Sequence, residues 1–170
     1  AQLFSQNAEI NTTDANGKKQ GLWEEKSAAG TSKGSYVDNL KNGTWVLYAT
    51  NGNLIRIESY TSGTLNGISV DLDQRGYLVN ESYYVSGKLD GVVRKFTSSG
   101  SLTLFQEYKK GLLNGKSRTY YESNPGKLKQ IDNYKENLKD GLSVWFTPTG
   151  DTIAKYNYVN GKLEGVQKSF

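Results

Sequence analysis

The sequence predicts an all-β protein: an elongated, single-layer antiparallel β-meander made of repeats of about 24 residues, each contributing one β-hairpin. Three observations predict it. A glycine returns at Gly43, Gly67, Gly91 and Gly115, 24 residues apart each time. The same companions travel with it: in the unit that opens at Gly67 they are Leu72 at +5, Gly76 at +9, Leu78 at +11, Tyr84 at +17, Gly87 at +20 and Leu89 at +22. Finally, asparagine or aspartate precedes glycine at Asn51, Asn66, Asp90, Asn114, Asp140 and Asn160, and such dipeptides tolerate positive φ and close antiparallel hairpins.

The repeats follow in order. Gly21 opens a degenerate copy with Gly30 in place, Tyr36 two residues early and Asn39 at the second turn; Gly17 to Gly21 mirrors Gly161 to Gly165, so the array begins before Gly21. The unit from Gly43 carries Tyr48, Gly52, Leu54, Tyr60, Gly63 and Leu65, and the unit from Gly91 carries Phe96, Gly100, Leu102, Tyr108, Gly111 and Leu113. From Gly115 a two-residue insertion intervenes, after which Tyr120, Gly126, Leu128 and Tyr134 are present, while Asn137 replaces the turn glycine and Lys139 the leucine. The unit from Gly141 keeps Phe146, Gly150, Tyr158, Gly161 and Leu163, and a half-unit starts at Gly165. Terminal copies that drift from the consensus are expected of capping repeats. The chain thus divides into an N-terminal segment, 1–10, and a repeat domain, 11–170.

Within each unit, positions +1 to +6 and +11 to +18 are short runs rich in Val, Ile, Tyr, Phe, Thr and Ser bounded by Gly and Asx, a strand signal. Gly52, Gly67, Gly76, Gly91, Gly100, Gly115 and Gly141 are expected in turns. Positions +5, +11 and +17 are all odd, which places them on one face. The expected core is therefore Tyr48, Leu54, Tyr60, Leu72, Leu78, Tyr84, Phe96, Leu102, Tyr108, Tyr120, Leu128, Tyr134, Phe146 and Tyr158. The other face is mixed: Arg75, Lys95, Glu107 and Lys155 beside Trp45, Ile57, Phe105 and Trp145. Strands about 4.8 Å apart, two per unit, give an array roughly 60 Å long.

The pattern of Gly, aromatic, Asn-Gly-x-Leu, Tyr and Gly-x-Leu-x-Gly resembles the MORN repeat, and more closely its bacterial variant, the antitoxin-like YwqK family, over about Ile10 to Phe170. The run from Asn11 to Trp23 is similar to the opening of such proteins in Bacteroidetes-type bacteria, where it commonly follows a secretion signal. The resemblance implies the fold; it leaves function open, because one fold hosts many activities.

Composition sets limits. Apolar residues make up 35% and the mean hydropathy is −0.66, low for a compact globule and natural for an exposed one-layer array. No stretch approaches the roughly 18 apolar residues of a membrane-spanning helix. Ala1 to Gln6 resembles the tail and cleavage region of a signal peptide, which points to export into the periplasm or to the outer membrane; a cytoplasmic chain is the alternative. The 21 basic residues are dispersed among 17 acidic ones, with no dense Lys/Arg run, so the net charge of +4 describes a solvated surface and no nucleic-acid partner is expected.

Histidine and cysteine are both absent, which removes the commonest general base, the commonest zinc ligands and the thiolate nucleophile. Asp71, Asp73, Glu81 and Glu107 could support carboxylate chemistry only. Asp71 and Asp73 recur in no other unit, and Asp90 and Asp140 alternate with Asn66 and Asn114, as turn geometry alone requires. The expectation is a non-enzymatic protein with no catalytic residue, metal or cofactor. Large aromatics on an open sheet are contact residues for a partner, so Trp45, Trp145 and Phe105 are the candidate partner-binding residues. The leading expectation is a protein-interaction or scaffold module of the bacterial cell envelope, an accessory subunit of a larger assembly. Lipid or glycan contact and neutralisation of a cognate toxin are the alternatives. The irregular spacing of the aromatics tells against choline-type cages, which need one pair per unit.

Overall fold

The computed structural model describes residues 9–165 and 167–170, so most of the N-terminal segment read as a signal remnant lies outside the described residues. They form one open antiparallel sheet of 17 strands in meander order, each strand line paired with the lines before and after it in sequence. Thr12–Thr13 (β1), Lys19–Ser27 (β2) and Gly30–Val37 (β3) open it, followed by Leu40–Tyr48 (β4), Leu54–Thr61 (β5), Thr64–Leu72 (β6) and Leu78–Val85 (β7). Lys88–Leu89 (β8) and Gly91–Phe96 (β9) are two pieces of one strand line beside β7, then come Leu102–Lys109 (β10), Leu112–Tyr120 (β11) and Leu128–Lys135 (β12). Leu138–Lys139 (β13) and Gly141–Phe146 (β14) repeat the broken line beside β12, and Thr152–Val159 (β15), Lys162–Leu163 (β16) and Lys168–Ser169 (β17) complete the sheet.

Two kinds of turn alternate. At one margin the closing residues are Asp38-Asn39, Ser62-Gly63, Ser86-Gly87, Lys110-Gly111, Glu136-Asn137 and Asn160-Gly161, every one at positive φ, the signature of a type I′ hairpin. At the other margin loops such as Asp73 to Tyr77 are closed by the Asp73 N–H on the Tyr77 carbonyl, 2.8 Å, with Gly76 inside the loop at φ 88°. Gly52, Gly76 and Gly100 are thus turn glycines, as expected. Gly67, Gly91, Gly115 and Gly141 are not: each lies at the start of or within a strand line, opposite Tyr84, Tyr108, Tyr134 and Tyr158, at φ from 102° to 130°. They relieve crowding against the preceding strand. A Cβ on Gly115 would stand 2.9 Å from that of Glu107. Three of the Asx residues before these glycines cap the next turn instead of making their own: Asn66 Oδ1 accepts from the Ser86 N–H and Asp90 Oδ2 from the Lys110 N–H, both at 3.2 Å, and Asp140 Oδ2 from the Asn160 N–H at 3.1 Å. Asn137, with φ 70°, does take the place of the turn glycine, as its left-handed tolerance predicts.

The face assignment needs correction. Tyr48 stands opposite Leu54, but one step further in Leu47 stands opposite Arg56, because the second strand carries a one-residue bulge. The bulge inverts parity, so Trp45 faces Glu58, and Gly43 faces Tyr60. Directly opposed residues share a face. The +5 and +11 residues, paired as Tyr48 with Leu54, Leu72 with Leu78, Phe96 with Leu102 and Tyr120 with Leu128, therefore occupy one face, and the +17 tyrosines the other. These expected core residues are half-buried, as a single layer dictates, and the buried apolar side chains among the described residues are Tyr36, Trp45, Ala49, Val93 and Ala154.

Beside the tyrosine column runs a buried row that is largely polar, with Ser69, Ser82, Ser117, Asp132 and Ser143 each under 9% exposed. The tyrosines lean back over it: the Tyr60 hydroxyl donates to Glu58 at 2.9 Å and that of Tyr108 to Gln106 at 3.1 Å, each two residues upstream on the same strand. Small serines leave room for the rings. Asp132 is satisfied by Ser143 Oγ at 2.6 Å, Gln130 Nε2 at 2.7 Å and Lys139 Nζ at 2.9 Å, as a buried carboxylate must be.

Candidate functional site

Of the three aromatics expected to contact a partner, two sit on the tyrosine face. Trp45 is 2% exposed; its indole N–H donates to the Ser35 carbonyl at 3.0 Å and its ring covers Gly34, where a Cβ would approach it to 2.3 Å. Trp145 is half-buried, edge-on to Tyr156 at 5.2 Å. Lys95, also expected opposite the tyrosines, lies on their face across from Asn80 and Leu104.

Each tryptophan belongs to a cluster that already contains a cation. Lys19 Nζ lies 4.4 Å from the Trp23 ring and 4.7 Å from that of Tyr36, Lys41 is 4.2 and 5.2 Å from Trp45 and Tyr60, and Lys139 is 5.2 and 5.1 Å from Trp145 and Tyr158. The signal was in the sequence: units with a leucine before the repeat glycine (Leu65, Leu89, Leu113) lack tryptophan, and units with a lysine there have one. Lysine and tryptophan co-vary between copies of one repeat because the ammonium needs the ring face.

Electrostatics on this face are closed in the same way. Burial by itself would raise the Glu25 carboxyl, but hydrogen bonds from Lys19 at 2.5 Å and Tyr36 at 3.1 Å hold it below its ordinary value, and the Glu25 contact raises Lys19 in return. Burial, then the bond to Glu58, pushes Tyr60 up to about 12. The Asp71 carboxylate, 2.7 Å from Arg56, holds that guanidinium above its usual value. Charges on this face nearly balance, with Lys19, Lys41, Arg56, Lys95 and Lys139 against Glu25, Glu58, Asp71 and Asp132.

The four acids considered for chemistry are engaged separately. Asp71 pairs with Arg56, Asp73 caps its own loop through the Arg75 and Tyr77 N–H groups, Glu81 binds Arg94 at 3.1 Å, and Glu107 Oε2 accepts the Lys116 N–H at 2.6 Å.

Phe105 is different. It lies on the face opposite the tyrosines, as expected, but shares that face with the +5 and +11 residues such as Phe96 and Leu102 that were expected to oppose it, in a row of directly opposed residues that crosses the whole sheet. Val46, Ile57 and Val70 follow one another in that row, then Glu81, Arg94, Phe105 and Arg118, then Ile131, Val144 and Lys155. A neighbouring row adds exposed Ile68 opposite Tyr83, 39% and 48% exposed, with Leu142 at 46% further along. At the row's N-terminal end a cavity of about 520 Å³ opens between Lys26, Lys33, Gly30 and Tyr48.

No protein-family model matches the chain, and no curated protein matches it significantly.

Proposed function

We propose that this chain is a non-enzymatic protein-interaction or scaffold module of the bacterial cell envelope, an accessory subunit of a larger periplasmic or outer-membrane assembly. The observation that carries the reading is the asymmetry of the two faces: one closes on itself through tyrosine, lysine and carboxylate contacts, while the other leaves half-buried and exposed apolar side chains in runs interspersed with charged ones. The envelope setting is supported by the likeness of the run from Asn11 to Trp23 to the opening of exported MORN-type proteins. The lysine-filled aromatic clusters work against the glycan reading, because a sugar or choline group would have to displace an ammonium held by two rings.

The test is site-specific photocrosslinking in the native bacterium from Tyr83 and Leu142, both exposed on the open face. The reading expects one discrete protein adduct, recovered in the envelope fraction. Adducts with phospholipid alone, or with a cytoplasmic protein, would overturn it.

A further inference from the structure

Resting on that reading, we propose that the open face docks an acidic, partly apolar segment of another protein, and that Arg118, stacked on Phe105, is the anchor for a partner carboxylate. Charge singles out this face. By strand register it carries Lys26, Lys33, Lys88, Arg94, Lys109, Lys116, Arg118, Lys135, Lys155, Lys162 and Lys168 against Glu24, Glu81 and Glu107, eleven cations to three anions. The tyrosine face, by contrast, is near balance, with five cations to four anions.

Lys33 and Arg94 are neutralised by Glu24 and Glu81 at 2.9 and 3.1 Å. Arg118 has no carboxylate within 4.0 Å among the described residues. Its guanidinium lies 4.9 Å from the Phe105 ring centre, with Arg94 at 5.8 Å. A half-buried guanidinium held against a ring is already oriented and partly stripped of water, so its donor fork can take a carboxylate bidentately with little further ordering. Apolar residues lie in the same row on both sides, Val46, Ile57 and Val70 before it and Ile131 and Val144 after it.

Two other occupants fit less well. A second copy of this chain would bring like charge against like charge if it used the same face. An anionic membrane is a uniform negative plane, which would repel Glu24, Glu81 and Glu107 and would gain little from branched side chains lying flush in the sheet; alternating signs in fixed register suit a patterned protein surface.

The test selects short peptides from a random displayed library against the immobilised full chain and measures their affinities by fluorescence anisotropy. Selected peptides should combine Asp or Glu with apolar residues. Their affinity should fall about tenfold to a hundredfold in Arg118→Ala, fall less in Arg118→Lys, drop in Tyr83→Ala and weaken with salt. Tyr83 is exposed, so its variant reports on the face even if Arg118→Ala is unstable. Peptides that bind but ignore both positions would overturn the site and leave the interaction reading standing. Failure to select any peptide, with binding only to vesicles of anionic phospholipid, would overturn both.

Discussion

At the level of single residues the chain is held by tight local arrangements rather than a deep core. Trp45, 2% exposed, is the largest of the buried apolar side chains, and Trp45→Ala should cost about 3 to 5 kcal/mol in urea unfolding. Gly34→Ala should cost about 1 to 3 kcal/mol, since the new methyl would press the indole off its seat. Gly17, with nothing within 4 Å of a built Cβ, is the control; Gly17→Ala meets only the penalty of its positive φ. Tyr60 provides a pH signature. Its folded value of about 12 stands above its unfolded value of 10.0, so its contribution to stability is complete below pH 10 and is lost as pH rises through 12. Absorbance titration of phenolate should show a late component that Tyr60→Phe removes. A titration curve unchanged in the variant would count against the Glu58 bond and the burial that cause the shift.

Elements are linked at their turns. The second residue of each type I′ turn donates to the strand of the turn before it: Gly63 to the Lys41 carbonyl at 2.8 Å, Gly87 to Leu65 at 2.8 Å, Gly111 to Leu89 at 2.7 Å and Gly161 to Lys139 at 2.8 Å. The turns thus stack as a ladder with the period of the sequence. Two rungs hold a long side chain in a region that favours Asn or Gly, Lys110 at φ 52° and Glu136 at φ 50°. Glu136→Asn should stabilise the protein by about 0.5 to 1 kcal/mol, read as a raised urea midpoint at unchanged slope. A neutral or negative effect would mean the glutamate is held by contacts that outweigh the backbone preference.

In the whole molecule, each unit presents the same acceptors and the same strand edge to the next, so stability should behave as a sum of units and interfaces. Deleting residues 67–90 joins Asn66 to Gly91 and lets the Gly111 N–H find the Leu65 carbonyl where it had Leu89. The shortened chain should keep its β-sheet circular dichroism and unfold cooperatively at a lower urea midpoint. Loss of all folded structure would show that the central units are not interchangeable.

The sequence by itself determined the repeat, its strands and loops, and the all-β single-layer class, because glycine spacing, Asx-Gly pairs and runs of β-formers are local signals with local causes. It also placed Phe105 on the face opposite the tyrosine column, though not on the face of the leucines, where it lies. Only the tertiary structure decided where Trp45 and Trp145 point, that the Asn66 and Asn114 dipeptides lie within strands and those of Asp90 and Asp140 at strand breaks, and that the leucine and tyrosine columns occupy opposite faces. The physical reason is the bulge beside Tyr48 and its equivalents: a single extra residue on one strand exchanges odd for even across the pair, and no counting along one chain reveals it until the two strands are laid side by side.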